Sequence, residues 1–487
     1  MSLEEGITSP LTFSLCPAIK ILHLTLVYKG PSVLKPRPHQ SQGPPLLKDR
    51  FIADIYSEAG KLVGSQVRVC GWVDNIRDLG GVRFILVRDR TGVMQVVVKK
   101  GLTPQDSIEA SYQLVKESVA CFEGTLSEGP SKLKYELHAT RVQPLSKPVE
   151  PLPLEPATSL EAQLSVRLDY RWLDVRNRKV SAIFVFESWV AHMFREHFRG
   201  RGFVEVFTPK IVAAGTEGGA EVFPVIYFGR EAYLAQSPQF YKQMAVIAGL
   251  ERVFEVGPVF RAESHHTVKH LTEFHGLDIE MGFIEGPEDV MGELEGFFRR
   301  LASEAQTAEE LRGVREFFDL SVRVPGKVPR ITIRQAYEIL RERYKKELPP
   351  GEDLDPQAER LLGDYAREEY DSDFVFVTEY PWKIRPFYTM RKEGDEDWTH
   401  GFDLLFRGLE IATGSQREHR YDHLLKNLRD KGLDPSKFQF YLNFFKHGAP
   451  PHGGAGLGLE RIVKQFLGLE NVREARLLPR DPERLVP

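Results

Sequence analysis

The sequence predicts an α+β protein: a small β-barrel over residues 51–145, then a larger part, 179–487, in which hairpin strands alternate with amphipathic helices. Three observations predict it. Five short Val- and Ile-rich runs, with a helical segment after the third, fill the first part. Two strand pairs, within Glu251–Ile284 and Phe402–Gly414, mark hairpins in the second. Around them apolar residues recur at helical spacing.

At 487 residues the chain exceeds what one core usually supports. A net charge of -4 excludes a globally basic nucleic-acid binder, so any nucleic-acid site is a local patch. The three cysteines, Cys16, Cys70 and Cys121, lie far apart without CxxC spacing. They read against structural zinc and a disulfide framework and for a reducing compartment, with Cys70 and Cys121 as small buried hydrophobes. With no run of 18 apolar residues, no membrane-spanning helix is expected. Leu11–Tyr28 is broken by Pro17, Lys20 and His23 and preceded by Glu4 and Glu5, so it does not read as a targeting signal.

Residues 1–50 stand apart. Pro31, Pro36, Pro38, Pro44 and Pro45 disfavour regular structure, and no chemistry is visible there. The barrel strands are expected at Gln66–Ile76, Val82–Arg88, Val93–Lys99, Val119–Leu126 and Lys134–Gln143, with a helix over Thr103–Glu117. That layout is an OB-fold, whose second and third strands face single-stranded nucleic acid. Arg77, Arg83, Phe84 and Gln95 fall there: an exposed aromatic stacks a base and a Gln amide reads its edge. The competing reading buries Phe84 in the core. A Pro-rich linker or hinge follows, 146–178, whose last residues, RLDYRWLDVRN, space charges for interdomain contacts.

From Lys179, Ile183, Phe186, Trp189, Val190, Met193 and Phe194 recur as one helical face over 181–199, ended by Gly200 and Gly202. A strand, Phe203–Phe207, stops at Pro209, and a Gly-rich loop carries Glu217. Gln236-Ser237-Pro238 predicts a helix start with Ser at the cap; Gln239 and Lys242 then share one helical face. Two strands, Val253–Arg261 and Glu273–Phe283, enclose a loop bearing Arg261, Glu263, His265, His266, Lys269 and His270. Packing does not require so cationic a loop, and it suits a nucleotide triphosphate; a solvated charge run is the bland reading. Residues 285–375 read as a helical insertion, with helices near 286–310, 333–346 and 355–369. In FDLLFRGLEIATG, with Arg407-Gly408 as the turn, Leu405 faces Glu410 and Asp403 faces Ala412. Asp403 and Glu410 become diagonal neighbours, about 7–8 Å apart, enough to share one Mg²⁺. Two unrelated acids beside a turn is the alternative. Ser415 and Glu418 form a capping-box pattern for a helix 416–431 that carries Arg417 in its first turn. Last, HGGAGLGLER runs a glycine strand into a helix with Arg461 where backbone can approach a ligand closely.

Together these stretches resemble the class II aminoacyl-tRNA synthetases, of the aspartyl type found in archaea and the eukaryotic cytosol. Motif 1 corresponds to the helix and strand around Gly202-Phe203 up to Pro209, motif 2 to Val259–Glu263 through Phe274, and motif 3 to Gly456–Arg461. QSPQFYKQ, TEGG, EFHGLDIEM and PPHGG carry the subfamily signal. Lys269 stands where family members often have Arg. The resemblance covers 51–487 and implies one antiparallel catalytic sheet flanked by helices and a cytoplasmic homodimer joined through motif 1. It implies activation of L-aspartate with ATP and Mg²⁺ and transfer to tRNA-Asp, leaving open whether tRNA-Asn is charged too. The roles it implies follow the motifs. Arg261 holds the α-phosphate, Glu263 and Phe274 the adenine, His270 and Arg461 the outer phosphates. Asp403 and Glu410 hold Mg²⁺. Glu217 and Asp278 take the substrate ammonium; Lys242 and Arg417, assisted by Gln239, take its side-chain carboxylate. Arg77, Phe84 and Gln95 meet the anticodon. An asparaginyl-tRNA synthetase, a non-catalytic RNA-binding paralogue and an asparagine synthetase derived from the catalytic domain are the alternatives. Lys242, which has nothing to neutralise on an amide, and PPHGG count against the first, the intact Arg261, Glu263, Asp403, Glu410 and Arg461 against the second, and the barrel against the third.

Overall fold

The computed structural model describes residues 47–129, 133–213, 215, 221–263 and 267–487. Alternation of Val67, Val69 and Val73 with polar residues curls the strand Gln66–Asp78 around a core that also takes Ile85, Val87, Val96, Val98 and Phe122. With Val82–Arg88, Val93–Lys99, Tyr135–Ser146 and Val119–Glu128 it closes a five-stranded barrel, the expected OB-fold layout. The helix after the third strand is shorter than expected, Gln105–Tyr112, with Pro104 at its N-cap and Gln113 at its C-cap.

The barrel corrects the reading of the cysteines. Register sets Cys70 directly opposite Cys121, and the two are joined as a disulfide, S–S 1.99 Å. Both are also buried, as expected. A sequence separation of 51 hid a pairing that one ladder rung creates.

The 167–178 stretch does hold the parts together. Arg176 pairs with Glu117 of the barrel at 3.0 Å, and Arg88 donates back to the Arg176 carbonyl at 2.7 Å. Buried Arg171 binds Asp174 and the carbonyls of Glu474 and Leu477 near the C-terminal end.

The larger part is built on an eight-stranded sheet, in the order Arg330–Thr332, Phe374–Thr378, Gly401–Phe406, Leu409–Gln416, His452–Gly458, Glu273–Gly282, Arg252–Phe260, Val204–Glu205. Only the two edge pairs are parallel. One face packs Leu277, Ile279, Leu404, Ile411 and Leu457 against the helices Arg178–Gly200, Pro287–Thr307 and Leu459–Leu467. Period-2 alternation therefore turns Phe274, Gly276, Asp278 and Glu280 to the other face. Walls rise there from two smaller clusters, one around Leu340, Leu362 and Val375, the other around Phe240, Phe387 and Tyr441. Helices Ile333–Tyr344 and Pro356–Tyr370 fall where the insertion was read.

Two expected helix starts move. Pro238, not Ser237, is the N-cap of Gln239–Ala245. No helix begins at Gln416: the strand runs on to that residue, Arg417 bridges Thr389, and the helix is Tyr421–Asp430. Sheet pairing outcompetes the capping pattern, since the Arg417 N–H already donates to the His452 carbonyl at 2.8 Å.

The disulfide makes a direct prediction. In the unreduced native chain neither Cys70 nor Cys121 should titrate with a thiol reagent. Cys121→Ser should lower barrel stability by about 2–4 kcal/mol, the usual range for a native disulfide, read as a drop in thermal midpoint. Three reactive thiols, or no drop, would contradict it.

Candidate active site

On the open face of the sheet lies a cavity of about 290 Å³. Its floor follows from register. One rung runs Asp403, Thr413, Gly456, Asp278, Glu255; a neighbouring rung holds Ser415, Gly454 and Glu280. At about 4.8 Å per strand, Asp403 and Asp278 are some 14 Å apart along the rung. The glycines of the middle strand make room for acids of its neighbour: a Cβ on Gly454 would collide with Glu280 Oε2, and one on Gly456 would sit 3.1 Å from Asp278 Oδ1.

At the Ser415 end the charges are buried and paired. Lys242 Nζ donates to Asp278 Oδ1 at 2.8 Å and to the Ala455 carbonyl at 3.1 Å, with Glu280 Oε2 at 3.4 Å. Arg417 donates to both Glu280 oxygens, Nε at 3.0 Å and Nη2 at 3.2 Å, and through Nη1 to Ser415 Oγ at 2.8 Å. Burial raises the Glu280 carboxyl, but Arg417 and Lys242 outweigh it and hold the group below its ordinary range. Arg417, Asp278 and Gln239 line the cavity, whereas Lys242 stands behind them, its three N–H groups matched by three acceptors.

A hydrogen-bond chain sets the Gln239 amide. A carbonyl only accepts, so His452 Nδ1 must donate to the Pro450 carbonyl, 2.9 Å, and Nε2 accepts from Gln243 Nε2, 2.9 Å. Gln243 Oε1 then takes Gln239 Nε2 at 3.0 Å and the Tyr441 hydroxyl at 3.1 Å. The Gln239 amide nitrogen is committed inward, which corrects the expectation that it assists with a side-chain carboxylate and leaves its carbonyl oxygen for the cavity.

The other end carries the cations read from the hairpin loop. Arg261 lies over the Phe274 ring at 5.6 Å. Arg461 donates to the Glu410 carbonyl at 3.0 Å and the Lys269 carbonyl at 3.3 Å. Lys269 pairs with Glu359 at 2.8 Å, and His270 Nε2 lies 3.5 Å from Glu263. Burial, with Arg461 and Lys269 nearby, drives the His270 imidazole down to about 4, so it faces the cavity as a neutral donor or acceptor.

The carboxylate pair differs from expectation. Thr413, not Ala412, is opposite Asp403, because a bulge between Leu404 and Leu405 adds one residue to the partner strand. The bulge turns Glu410 and Thr413 to one side, and Thr413 Oγ1 donates to Glu410 Oε1 at 3.1 Å. Glu410 and Thr413 line the cavity; Asp403 is buried at its edge against Arg385, 2.7 Å. Burial, with Glu410 nearby, lifts Asp403 to about 6 despite Arg385. Sequence reasoning missed Thr413, Arg385 and Glu280. Only the alternation Asp278, Glu280 on one strand could have flagged the last.

In the barrel, Arg77 faces Phe84 across the first two strands, and Gln95 faces Leu86. The three share the outer face, with Arg77 exposed, Phe84 half-buried and Gln95 Nε2 bonded to Glu136 at 2.8 Å. Glu217, His265 and His266 lie outside the described residues.

Residues 163–482 match the family described as tRNA synthetases class II (D, K and N), and residues 67–145 match an OB-fold nucleic acid binding domain. The chain belongs to the class II tRNA synthetases of the D, K and N group. Within that group it is 62% identical over 91% of its length to the whole of an aspartate–tRNA(Asp/Asn) ligase from Aeropyrum pernix. It is 44% identical, over the same share, to the whole of an aspartate–tRNA(Asp) ligase from Pyrococcus abyssi. Among solved structures it is similar to asparaginyl-tRNA synthetase from Pyrococcus horikoshii with asparaginyl-adenylate (TM-score 0.83, 33% identity, 91% of this chain and 100% of that one). It is also similar to aspartyl tRNA synthetase from Entamoeba histolytica (TM-score 0.79, 30% identity, 94% and 100%). Among the described residues no helix is long and apolar enough to cross a membrane.

Glu187, on the long helix behind the sheet, sits with His275 and Glu460 under the cavity floor. Burial and the Glu460 charge raise it from 4.5 to about 8, so the folded protein keeps it protonated where the unfolded chain does not. The stability this contributes is complete below the unfolded value and is lost as pH rises through about 8. Glu187→Gln should therefore flatten the fall in thermal midpoint between pH 6 and 9, by on the order of 1 kcal/mol at the alkaline end. Parallel pH profiles for the two proteins would refute this.

Proposed function

We propose that this protein joins L-aspartate to ATP, forming aspartyl-adenylate and pyrophosphate, and transfers the aspartyl group to the 3′ end of tRNA-Asp. The observation that carries the reading is the paired set Lys242, Arg417, Asp278 and Glu280 at one end of the cavity, with Arg261 and Arg461 at the other. A zwitterion with an acidic side chain fits by exchanging partners. Its ammonium takes Asp278, together with the Gln239 carbonyl oxygen and Glu217. The Lys242 N–H so released, with the donors Arg417 has left, takes its side-chain carboxylate. Arg417 has five N–H donors and three are engaged. Asparagine would claim Asp278 yet return no anion to Lys242, a buried mismatch of the kind that rejects an analogue by about 10⁴.

The α-carboxylate is already ionised at neutral pH, so attack on the α-phosphorus calls for alignment and charge neutralisation rather than a base. Arg261 is suited to the α-phosphate and attacking carboxylate, Arg461 to the outer phosphates, Phe274 to adenine stacking and Glu263 to its amino group. Neutral His270 serves the phosphates as a hydrogen-bond donor. Oxygen donors suit Mg²⁺, and Glu410, Thr413 and the buried Asp403, whose Oδ1 lacks a hydrogen-bond partner, fit that ion. When bound it would neutralise phosphate charge. The barrel's Arg77, Phe84 and Gln95 would read the anticodon, with tRNA-Asn as a second acceptor, a reading supported by the 62% identity to a relative of Asp/Asn name against 44% to one of Asp name. A tRNA substrate makes the cytoplasm the place of work. A second copy would join through the helix Arg178–Gly200 and the strand after it, beside which Phe207 is 81% exposed.

Lys242→Met and Arg417→Leu should each cut aspartate-dependent pyrophosphate exchange by about 10³-fold or more while ATP binding persists. Unchanged exchange in both variants would remove the assignment, and exchange driven by asparagine in the wild type would favour the asparaginyl reading. Phe84→Ala should raise KM for tRNA by about tenfold, one lost base stack, and leave exchange untouched. An unaltered KM would return Phe84 to a packing role.

A further inference from the structure

Arg385 is a cavity-lining cation that no sequence motif announced. Its guanidinium lies 2.7 Å from Asp403 Oδ2 and 3.7 Å from the centre of the Tyr380 ring, and its side chain is only 10% exposed. Pro386 follows it and a short turn, Trp382–Ile384, precedes it, so the backbone presenting it is stiff. Three acids at this end each have a cation: Asp403 has Arg385, Glu359 has Lys269 at 2.8 Å, and Glu410 has Arg461 at 3.4 Å. Each of these three pairs is matched with nothing bound. A divalent cation arriving alone meets carboxylates that already have partners and must strip Arg385 from Asp403 in a place with little water to compensate. ATP changes the balance, because its phosphates bring anionic oxygens to the same wall.

We propose that Arg385 is the internal counter-ion of the Asp403–Glu410 pair and makes cation binding there depend on ATP. The inference rests on the assignment of that pair to Mg²⁺ above. Arg385 is thus a positioning residue: it holds Asp403 in place, turned away from a lone metal ion, and leaves Glu410 and Thr413 as the cavity-facing oxygens.

The test measures Mn²⁺ binding by electron paramagnetic resonance at pH 8, with and without a non-hydrolysable ATP analogue and with no amino acid present. Wild type should take up Mn²⁺ at this site only with the analogue. Arg385→Gln should bind Mn²⁺ without nucleotide at least tenfold more tightly than wild type, an increase that Asp403→Asn added to it abolishes. Arg385→Lys, which keeps the charge, should restore nucleotide dependence. Tight Mn²⁺ binding by nucleotide-free wild type that Asp403→Asn removes would overturn the proposal without recourse to any Arg385 variant. Arg385→Gln that is folded by its thermal melt yet binds no more Mn²⁺ than wild type would also overturn it. Wild type that takes up no Mn²⁺ even with the analogue would instead strike the metal assignment itself, and the counter-ion role with it.

Discussion

A carboxylate buried in a sheet needs space as well as a counter-charge, and the glycine strand His452–Gly458 supplies the space. Glu280 is 0% exposed, and any side chain on Gly454 would collide with it. Because that neighbouring strand is bare, Glu280 and Asp278 can lie across it and draw Lys242 and Arg417 into the protein. Breaking such a buried pair by removing one partner costs about 3–5 kcal/mol. The glycine run, the helix that carries Lys242 and the strand end that carries Arg417 are therefore bound into one unit.

The same arrangement governs recognition. At both ends of the cavity Lys242, Arg417, Arg385, Lys269 and Arg461 each already have an acid beside them, whereas Arg261 lies over the Phe274 ring. Ligands then bind by replacing internal partners, and a ligand that replaces only one of two leaves a buried charge unmatched. That is a stronger filter than attraction to a bare positive site, which would accept any anion. The neutral His270 fits this scheme, since another cation would unbalance the phosphate end.

Much of the local structure was legible. The strands Val82–Arg88 and Val93–Lys99 fall where their alternation put them, and the hairpin strands Arg252–Phe260 and Glu273–Gly282 lie within a residue of expectation. Hairpin register depends on residues near in sequence, so Leu405 was correctly set against Glu410. What failed depended on distant partners. The capping pattern at Ser415 lost to the bond that the Arg417 N–H donates to the carbonyl of His452, 35 residues beyond Arg417, and Cys70 found Cys121 through a barrel rung. A one-residue bulge replaced Ala412 by Thr413 as the neighbour of Asp403, a shift to which hydrophobic patterning is blind.

By itself the sequence determined the order of most elements, the hairpin pairs, and the chemical types available to the site: arginines on a hairpin loop, acids on a turn, a lysine on a helix. Those follow from periodicity and local propensity, which act over a few residues. Only the tertiary structure decided which charge faces which. It placed Lys242 behind Asp278 rather than on the cavity wall, gave Asp403 to Arg385, and made Glu280 the acid shared by two cations. Ion pairing in a buried space is set by distances of a few ångströms between strands far apart in the chain, and no local pattern encodes those.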